Sequence, residues 1–296
     1  GVWMVELLSL YIAVLGGYYL LKRIFGLYPA IFISFLWPFT LLYIIVGGNL
    51  TTEYTLPMQV GSLGLFYLAE KRRGYGWLGF ALGLLNGIAF LTRQNVIGIG
   101  VAIVFYIIIA RLLARDYQAL WRDLWPIATG GLTAIAVTAG YFASRQALAA
   151  FWDSAFTYNF LYSAERDNTA RLLSLVTGLD FLENIGLAQL AFIGWGSSLL
   201  WLLFKREQFE PGTRALLWMA ALNLPIELFM VSIGGRPRAP YFMALVPVFA
   251  LFAGFTCWQI FNYFSQPPVP RMAGAALALV MVVVLFSVYY DDYTEL

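Results

Sequence analysis

Three polar clusters interrupt the apolar runs of this sequence, and they contain the side chains that could do chemistry. They lie at residues 49–54, 93–95 and 234–241. Polar groups at the edge of hydrocarbon are costly unless water or a partner satisfies them, so ionisable residues there are functional candidates by default. The candidates are Asn49, Glu53, Arg93, Gln94, Arg236, Arg238 and Tyr241.

The arginines of these clusters predict the binding of an anion. A guanidinium is a planar fork of five donors that matches a phosphate in a bidentate manner. Arg236 and Arg238 follow Gly234 and Gly235, whose missing side chains allow a tight loop. We expect Arg93 and this loop to bind a lipid phosphate or a similar anion. The alternative, that the arginines only reach toward anionic headgroups, stays open.

The acidic residues offer a different chemistry. The carboxylate of Glu53 can act as a base, bind a metal ion or hold a sugar hydroxyl, and a solvated loop acid is an equal alternative. Glu6 and Glu227 lie inside apolar runs. Asn223 stands one helical turn before Glu227, which favours a hydrogen bond between helices.

The composition excludes several classes of protein. Hydrophobic residues make up 61% of the 296 and charged residues 11%, which excludes an ordinary soluble domain. Histidine is absent, and this excludes His-based metal sites and both Ser-His-Asp and Cys-His catalysis. The single cysteine, Cys257, lies in an apolar run, so no disulfide framework can form. We expect neither a metal nor another cofactor.

The apolar runs predict an all-α polytopic membrane protein. About 20 apolar residues are needed for one crossing. We predict ten spans in a single transmembrane domain, 1–296, and a polar, aromatic external segment at 144–183 that suits an amphipathic helix at the membrane interface. The predicted spans are 3–21, 28–46, 55–70, 77–92, 96–114, 124–143, 184–204, 213–232, 241–261 and 272–290.

The basic residues predict the orientation of these spans. Twelve of the 18 Lys and Arg residues fall in alternate loops, which places those loops in the cytoplasm. The three polar clusters and both termini are then external. An external Gly1 directly before a span predicts that another span and external loop precede it. The alternative is an unusual topology with a short translocated tail.

The order of the polar motifs resembles a known family. The motifs lie at 48–54, 83–94, 151–163 and 235–247. Together they resemble bacterial glycosyltransferases of the C-type fold, and more narrowly the dolichyl-phosphate-mannose protein mannosyltransferase-like (glycosyltransferase family 39-like) group, over about residues 40 to 255.

This resemblance implies transfer of a sugar from a polyprenyl-phosphate donor, the substrate, to an acceptor at the outer face. The catalytic Asp of such enzymes lies in the first external loop, which we expect upstream of Gly1. By the same resemblance Arg93 and Arg236 bind the donor phosphate, Asn49 and Glu53 belong to the sugar or acceptor pocket, and Tyr241 forms its wall.

Two positions depart from the family pattern. Pro240 replaces a common His, and Arg238 replaces a common aromatic residue. Gln94 and Arg238 adjoin the matched positions, so we count them as substrate-binding candidates with Glu53 as a supporting carboxylate.

The expected partners are the lipid-linked sugar donor, membrane lipids and other membrane subunits, without nucleic acid. The expected location is the bacterial cytoplasmic (inner) membrane, with the functional face toward the periplasm. A non-catalytic subunit of a larger membrane complex is the main alternative. A transporter of anionic lipid or solute is disfavoured because no internal repeat is detectable. If the enzyme hypothesis is right, Arg93 and Arg236 border one outward-opening cavity with Glu53 near its wall.

Overall fold

The computed structural model describes residues 1–45, 48–165, 167–183 and 186–264, and within them it is helical without a strand. The side chains of residues 43, 180, 181, 183 and 206 are not described. The helices are α1 Val2–Phe25, α2 Leu27–Ile44, α3 Thr51–Arg72, α4 Gly76–Thr92, α5 Gly98–Leu113, α6 Tyr117–Ser144, α7 Leu148–Trp152, α8 Tyr158–Ala164, α9 Asn168–Glu183, α10 Gly186–Phe204, α11 Pro211–Ser232, α12 Ala239–Phe242 and α13 Val246–Phe264.

The predicted all-α polytopic fold is confirmed, but the count of ten spans is not. Five helical stretches of the described chain are long and apolar enough to cross a membrane: α1, α6, α10, α11 and Ala239–Phe264, which joins α12 to α13. Three more, α2, α4 and α5, are apolar but shorter. The predicted span 272–290 lies outside the described residues.

Helix α3 overlaps the predicted span 55–70, yet it carries too many polar residues to rank with those eight helices. Several of its polar side chains are buried among other helices. Those at 52, 55, 59 and 62 recur at helical spacing. The amide of Gln59 donates to the carbonyl oxygens of Val96 and Ala244, at 3.5 Å and 3.4 Å. Asn86 of α4 donates to the Ser62 hydroxyl at 3.0 Å. Polar contacts within the protein therefore position α3.

Helices α4 and α6 approach each other very closely at glycines. A Cβ atom on Gly83 would lie 1.9 Å from the carbonyl oxygen of Ile127, and one on Gly130 would lie 2.0 Å from that of Phe80. Small residues are what allow helix backbones to pack this closely in lipid. The contact fixes the direction of α4, whose last residue immediately precedes Arg93.

Ion pairs mark the end of the bundle opposite to Arg93. Lys71, near the end of α3, pairs with Glu210, which precedes α11, at 2.8 Å. Arg111, near the end of α5, pairs with Asp123 at 2.8 Å and with Glu70 at 3.3 Å. The start of α3, the end of α4 and the loop after α11 consequently lie at the other end, as the alternation of basic loops predicts.

The segment after α6 divides into two parts instead of forming one interfacial helix. Helices α7 and α8 are joined by a π-helical turn, Asp153–Thr157, and leave Trp152, Tyr158 and Phe160 exposed. Helix α9 packs inward, because a Cβ on Gly178 would overlap the ring of Phe242. Among the side chains of this segment that the structure describes, the exposed aromatic ones lie in the first part.

Candidate functional site

Arg93 is held at the end of α4 by contacts from three directions. It adopts an extended backbone as the C-cap residue of that helix. Its Nε donates to Asn95 Oδ1 at 2.9 Å, and its Nη1 donates to Thr51 Oγ1 at 3.2 Å. The guanidinium also lies 4.6 Å from the centre of the Tyr241 ring. Burial lowers the pKa of Arg93, and the neighbouring hydroxyls of Tyr241 and Tyr162 oppose that shift.

Arg236 reaches the same end of the bundle from the loop after α11. Its guanidinium lies 3.9 Å from the centre of the Tyr162 ring. One Nη lies 3.8 Å from a carboxylate oxygen of Glu165, which is 68% exposed. The Nε of Arg236 is buried and donates to no group of the described chain. A buried donor left unpaired typically costs about 1–3 kcal/mol, so this atom is suited to meet a ligand.

Two tyrosines connect the arginines. The hydroxyls of Tyr241 and Tyr162 lie near each other and interact electrostatically. The result is a continuous series in which Arg93 packs on Tyr241, Tyr241 interacts with Tyr162, and Tyr162 packs on Arg236. We call these four residues the arginine–tyrosine cluster. It connects cations from two distant parts of the chain through two tyrosine side chains.

Tyr162 is the member that sequence reasoning missed as a site residue. It belongs to the motif at 151–163, but no rule of spacing relates it to Arg236 or Tyr241. Hydrogen bonds of Gln94 place the segment that carries Tyr162 beside the arginines. The amide nitrogen of Gln94 donates to the Ala155 carbonyl at 2.7 Å, and its oxygen accepts from Asn159 at 3.3 Å. Gln94 thereby docks the α7–α8 segment beside Arg93.

The remaining candidates lie nearby with smaller roles. Asn49 has a left-handed backbone (φ 59°), and its Oδ1 accepts from the Tyr54 hydroxyl at 2.7 Å. The structure thus gives Asn49 a local contact that orders the loop before α3. Arg238 is exposed and interacts electrostatically with Tyr241.

Glu53 lies in the first turn of α3, ahead of the predicted span 55–70, and faces Glu6 of α1. It is fully buried, and its carboxyl group meets that of Glu6 on α1. Burial and then the Glu6 carboxyl raise the pKa of Glu53 to about 7. Its helix contacts Arg93 through Thr51 instead. The structure therefore connects the two arginines through Tyr241 and Tyr162, whereas the expected approach of Glu53 to them is not seen among the described contacts.

A cavity of about 390 Å³ lies between α4, α5 and α6. Its lining is apolar apart from Asn86, whose amide is already bonded to Ser62 and to the Leu82 carbonyl. The cavity opens sideways, since Phe105 and Ile135 in its lining are exposed. Phe90 also lines it, three residues before Arg93.

Comparison with known proteins gives one match. The family model described as dolichyl-phosphate-mannose-protein mannosyltransferase matches residues 1–143, slightly less than half of the chain. The resemblance drawn from the motifs is thereby confirmed, and the match supports a membrane glycosyltransferase of the mannosyltransferase type. It covers Asn49, Glu53, Arg93 and Gln94 and stops before the loop of Arg236. No curated protein and no solved structure matches the chain.

Proposed function

We propose that this chain, whose first 143 residues match the mannosyltransferase family, transfers a sugar from a polyprenyl-phosphate donor to an acceptor at the outer face of the membrane. The arginine–tyrosine cluster is the observation that carries the proposal. Two guanidiniums at one end of a membrane bundle, one with an unpaired buried Nε, suit the phosphate of such a donor.

The reaction makes clear why positive charge is needed there. The acceptor oxygen forms a bond to the anomeric carbon of the sugar, and the bond from that carbon to the phosphate oxygen breaks. The polyprenyl phosphate leaves with the electron pair and gains negative charge. Arg93 and Arg236 are fixed in advance where that charge develops, which stabilises the transition state.

A carboxylate must take the proton of the acceptor hydroxyl. The family resemblance assigns this task to an Asp of the first external loop, with Glu53 as a supporting carboxylate. The contact between Thr51 and Arg93 ties the first turn of α3 to the phosphate site, so Glu53 supports the site through α3. The donor is a substrate, and the proposal needs no further cofactor.

The lateral cavity between α4, α5 and α6 suits the isoprenoid chain of the donor. Its volume of about 390 Å³ lies in the range of ligand pockets, roughly 300–1,000 Å³. Phe90 lines the cavity, and Arg93 follows it on the same helix end. A phosphate at Arg93 could then extend its chain into the cavity without leaving hydrocarbon.

The proposed location is the bacterial cytoplasmic membrane with the cluster on the periplasmic side. The distribution of Lys and Arg supports this orientation, and the ion pairs of Lys71 and Arg111 lie at the opposite end of the bundle. Membrane lipids surround the chain, and further membrane subunits are compatible with its exposed apolar surface.

The test is a sugar-transfer assay with the full-length protein in liposomes. Labelled polyprenyl-phosphate-mannose serves as donor and membranes of the native host supply the acceptor. We expect label to leave the donor with wild-type protein and not with the Arg93→Ala, Arg236→Ala double variant. Equal donor consumption by both proteins, or none by either with a panel of lipid-linked sugars, would favour the non-catalytic subunit.

A further inference from the structure

Two carboxyl groups meet in the interior at the outer end of α1 and α3. Glu53 is 0% exposed and Glu6 is 6% exposed. The side chains interact directly with each other. Gly48 permits this approach, because a Cβ atom there would lie 2.7 Å from Glu6 Oε1.

No cation accompanies this pair in the described part of the chain. The ion pairs found there involve neither Glu6 nor Glu53. Tyr54 faces both carboxyl groups, but its hydroxyl donates to Asn49. The backbone of the Asn49–Leu50 turn faces Glu53 as well.

The carboxyl oxygens themselves are short of partners. Both oxygens of Glu53 and Oε2 of Glu6 are buried without a hydrogen bond of ordinary geometry. Two ionised carboxylates in contact repel strongly, and more so when buried, so such a pair retains one proton. The retained proton lets one acid donate to the other and gives these buried oxygens a partner. A bound metal ion is a less suitable partner for these carboxyl groups, since no three acidic, His or Cys side chains of the described chain lie together as ligands.

We propose that Glu6 and Glu53 form a proton-sharing carboxyl pair that fastens α3 to α1, with Glu6 as a positioning residue for the phosphate site. Thr51 connects the pair to that site, because it lies two residues before Glu53 and holds Arg93. Loss of the shared proton leaves two negative charges in contact, separates the first turn of α3 from α1 and releases Arg93. The expected effect on donor binding rests on the proposed function, whereas the existence of the carboxyl pair does not.

The direction of the pH effect follows from the raised pKa of Glu53. The folded protein holds a proton that the unfolded chain releases at lower pH, so the stabilisation is present at acidic pH. It is lost as the pH rises through about 7. The same rise in pH should weaken donor binding.

The experiment compares full-length wild-type protein with Glu6→Gln in detergent at pH 5.5 and pH 8.5. Two quantities are measured: the thermal unfolding midpoint and the Kd for polyprenyl phosphate. We expect wild type to unfold at a lower temperature and to bind several-fold more weakly at pH 8.5. Glu6→Gln should lose both differences, because one neutral amide removes the repulsion. Asp153→Asn, at an exposed acid of the outer segment, is the matched control and should keep the wild-type pH dependence.

Several outcomes would contradict the proposed proton-sharing pair. One is a Glu6→Gln protein with the wild-type pH dependence of unfolding; another is a wild-type protein that loses stability toward acidic pH in this range. Destabilisation of wild type by a chelator at pH 5.5 would identify a metal site in place of a shared proton. If Glu6→Gln does not fold, Glu53→Gln gives the same test. Unfolding needs no donor, so a protein that neither binds nor transfers lipid-linked sugar would refute the proposed function while leaving the pair testable.

Discussion

Replacing Arg236 by alanine should separate catalysis from folding. The ion pair with Glu165 is long and exposed, and such pairs contribute about 0–1 kcal/mol to stability. Packing on Tyr162 contributes about 0.5–2 kcal/mol. Removing the unpaired Nε offsets part of this loss, since an unsatisfied buried donor costs about 1–3 kcal/mol. These contributions nearly cancel, so the free energy of unfolding should change by no more than about 1 kcal/mol, a midpoint shift of at most about 2–4 °C.

The effect on transfer should be far larger. Removing one fixed charge contact to a developing anion costs about 2.7–4 kcal/mol, a loss of about 100- to 1,000-fold in rate. The assay measures sugar transfer in liposomes together with thermal unfolding of each protein. Arg145→Ala is the matched control, because Arg145 is exposed and packs 5.8 Å from the ring of Tyr141. Wild-type transfer by Arg236→Ala, or a loss fully explained by unfolding, would refute the reasoning.

Three further changes test the site and its scaffold. Arg93→Lys should restore little of the transfer lost in Arg93→Ala, because an ammonium cannot reach Thr51 and Asn95 as a guanidinium fork does; equal rescue in the transfer assay would argue against that geometry. Arg238→Ala should reduce transfer less than Arg236→Ala, since Arg238 is exposed, and a larger loss would relocate the phosphate contact. Val104→Trp should fill the lateral cavity and raise the KM for a long-chain donor more than the KM for a short-chain donor. The control Val137→Trp, on the exposed face of α6, should leave the ratio of the two KM values unchanged. An unchanged ratio in Val104→Trp would exclude the cavity as the path of the lipid.

The sequence predicts which end of the bundle a residue occupies better than it predicts the contacts between helices. Hydropathy and the Lys and Arg loops suffice to place Arg93 and Arg236 at one end, because burial in lipid and membrane orientation act on each segment separately. Helix α3 shows where this reasoning fails. Its polar residues lower its hydropathy, and only the packing of α3 among other helices reveals that Gln59 and Ser62 are buried and bonded.

The contacts between distant segments could not be derived from one sequence. Glu6 lies in an apolar run and Glu53 in the first polar cluster, and no spacing in the sequence relates one to the other. The same holds for Tyr162, which reaches Arg236 only because Gln94 docks the α7–α8 segment. Helix packing decides these pairs, so the placement of both arginines at one end of the bundle could be predicted from charge alone, whereas the turn of Glu53 toward α1 could not.

Equilibrium binding of polyprenyl-phosphate-mannose to the full-length protein is the most direct test of the phosphate site. Hydrogen bonds to charged groups contribute about 1.5–3 kcal/mol each, so losing both arginines should weaken binding by about 100-fold or more. We predict this loss for the Arg93→Ala, Arg236→Ala double variant, and we predict that an anionic phospholipid in excess does not compete with the donor on wild type. Equal donor affinity of the two proteins, or displacement of the donor by the phospholipid, would contradict the assignment of the arginine–tyrosine cluster.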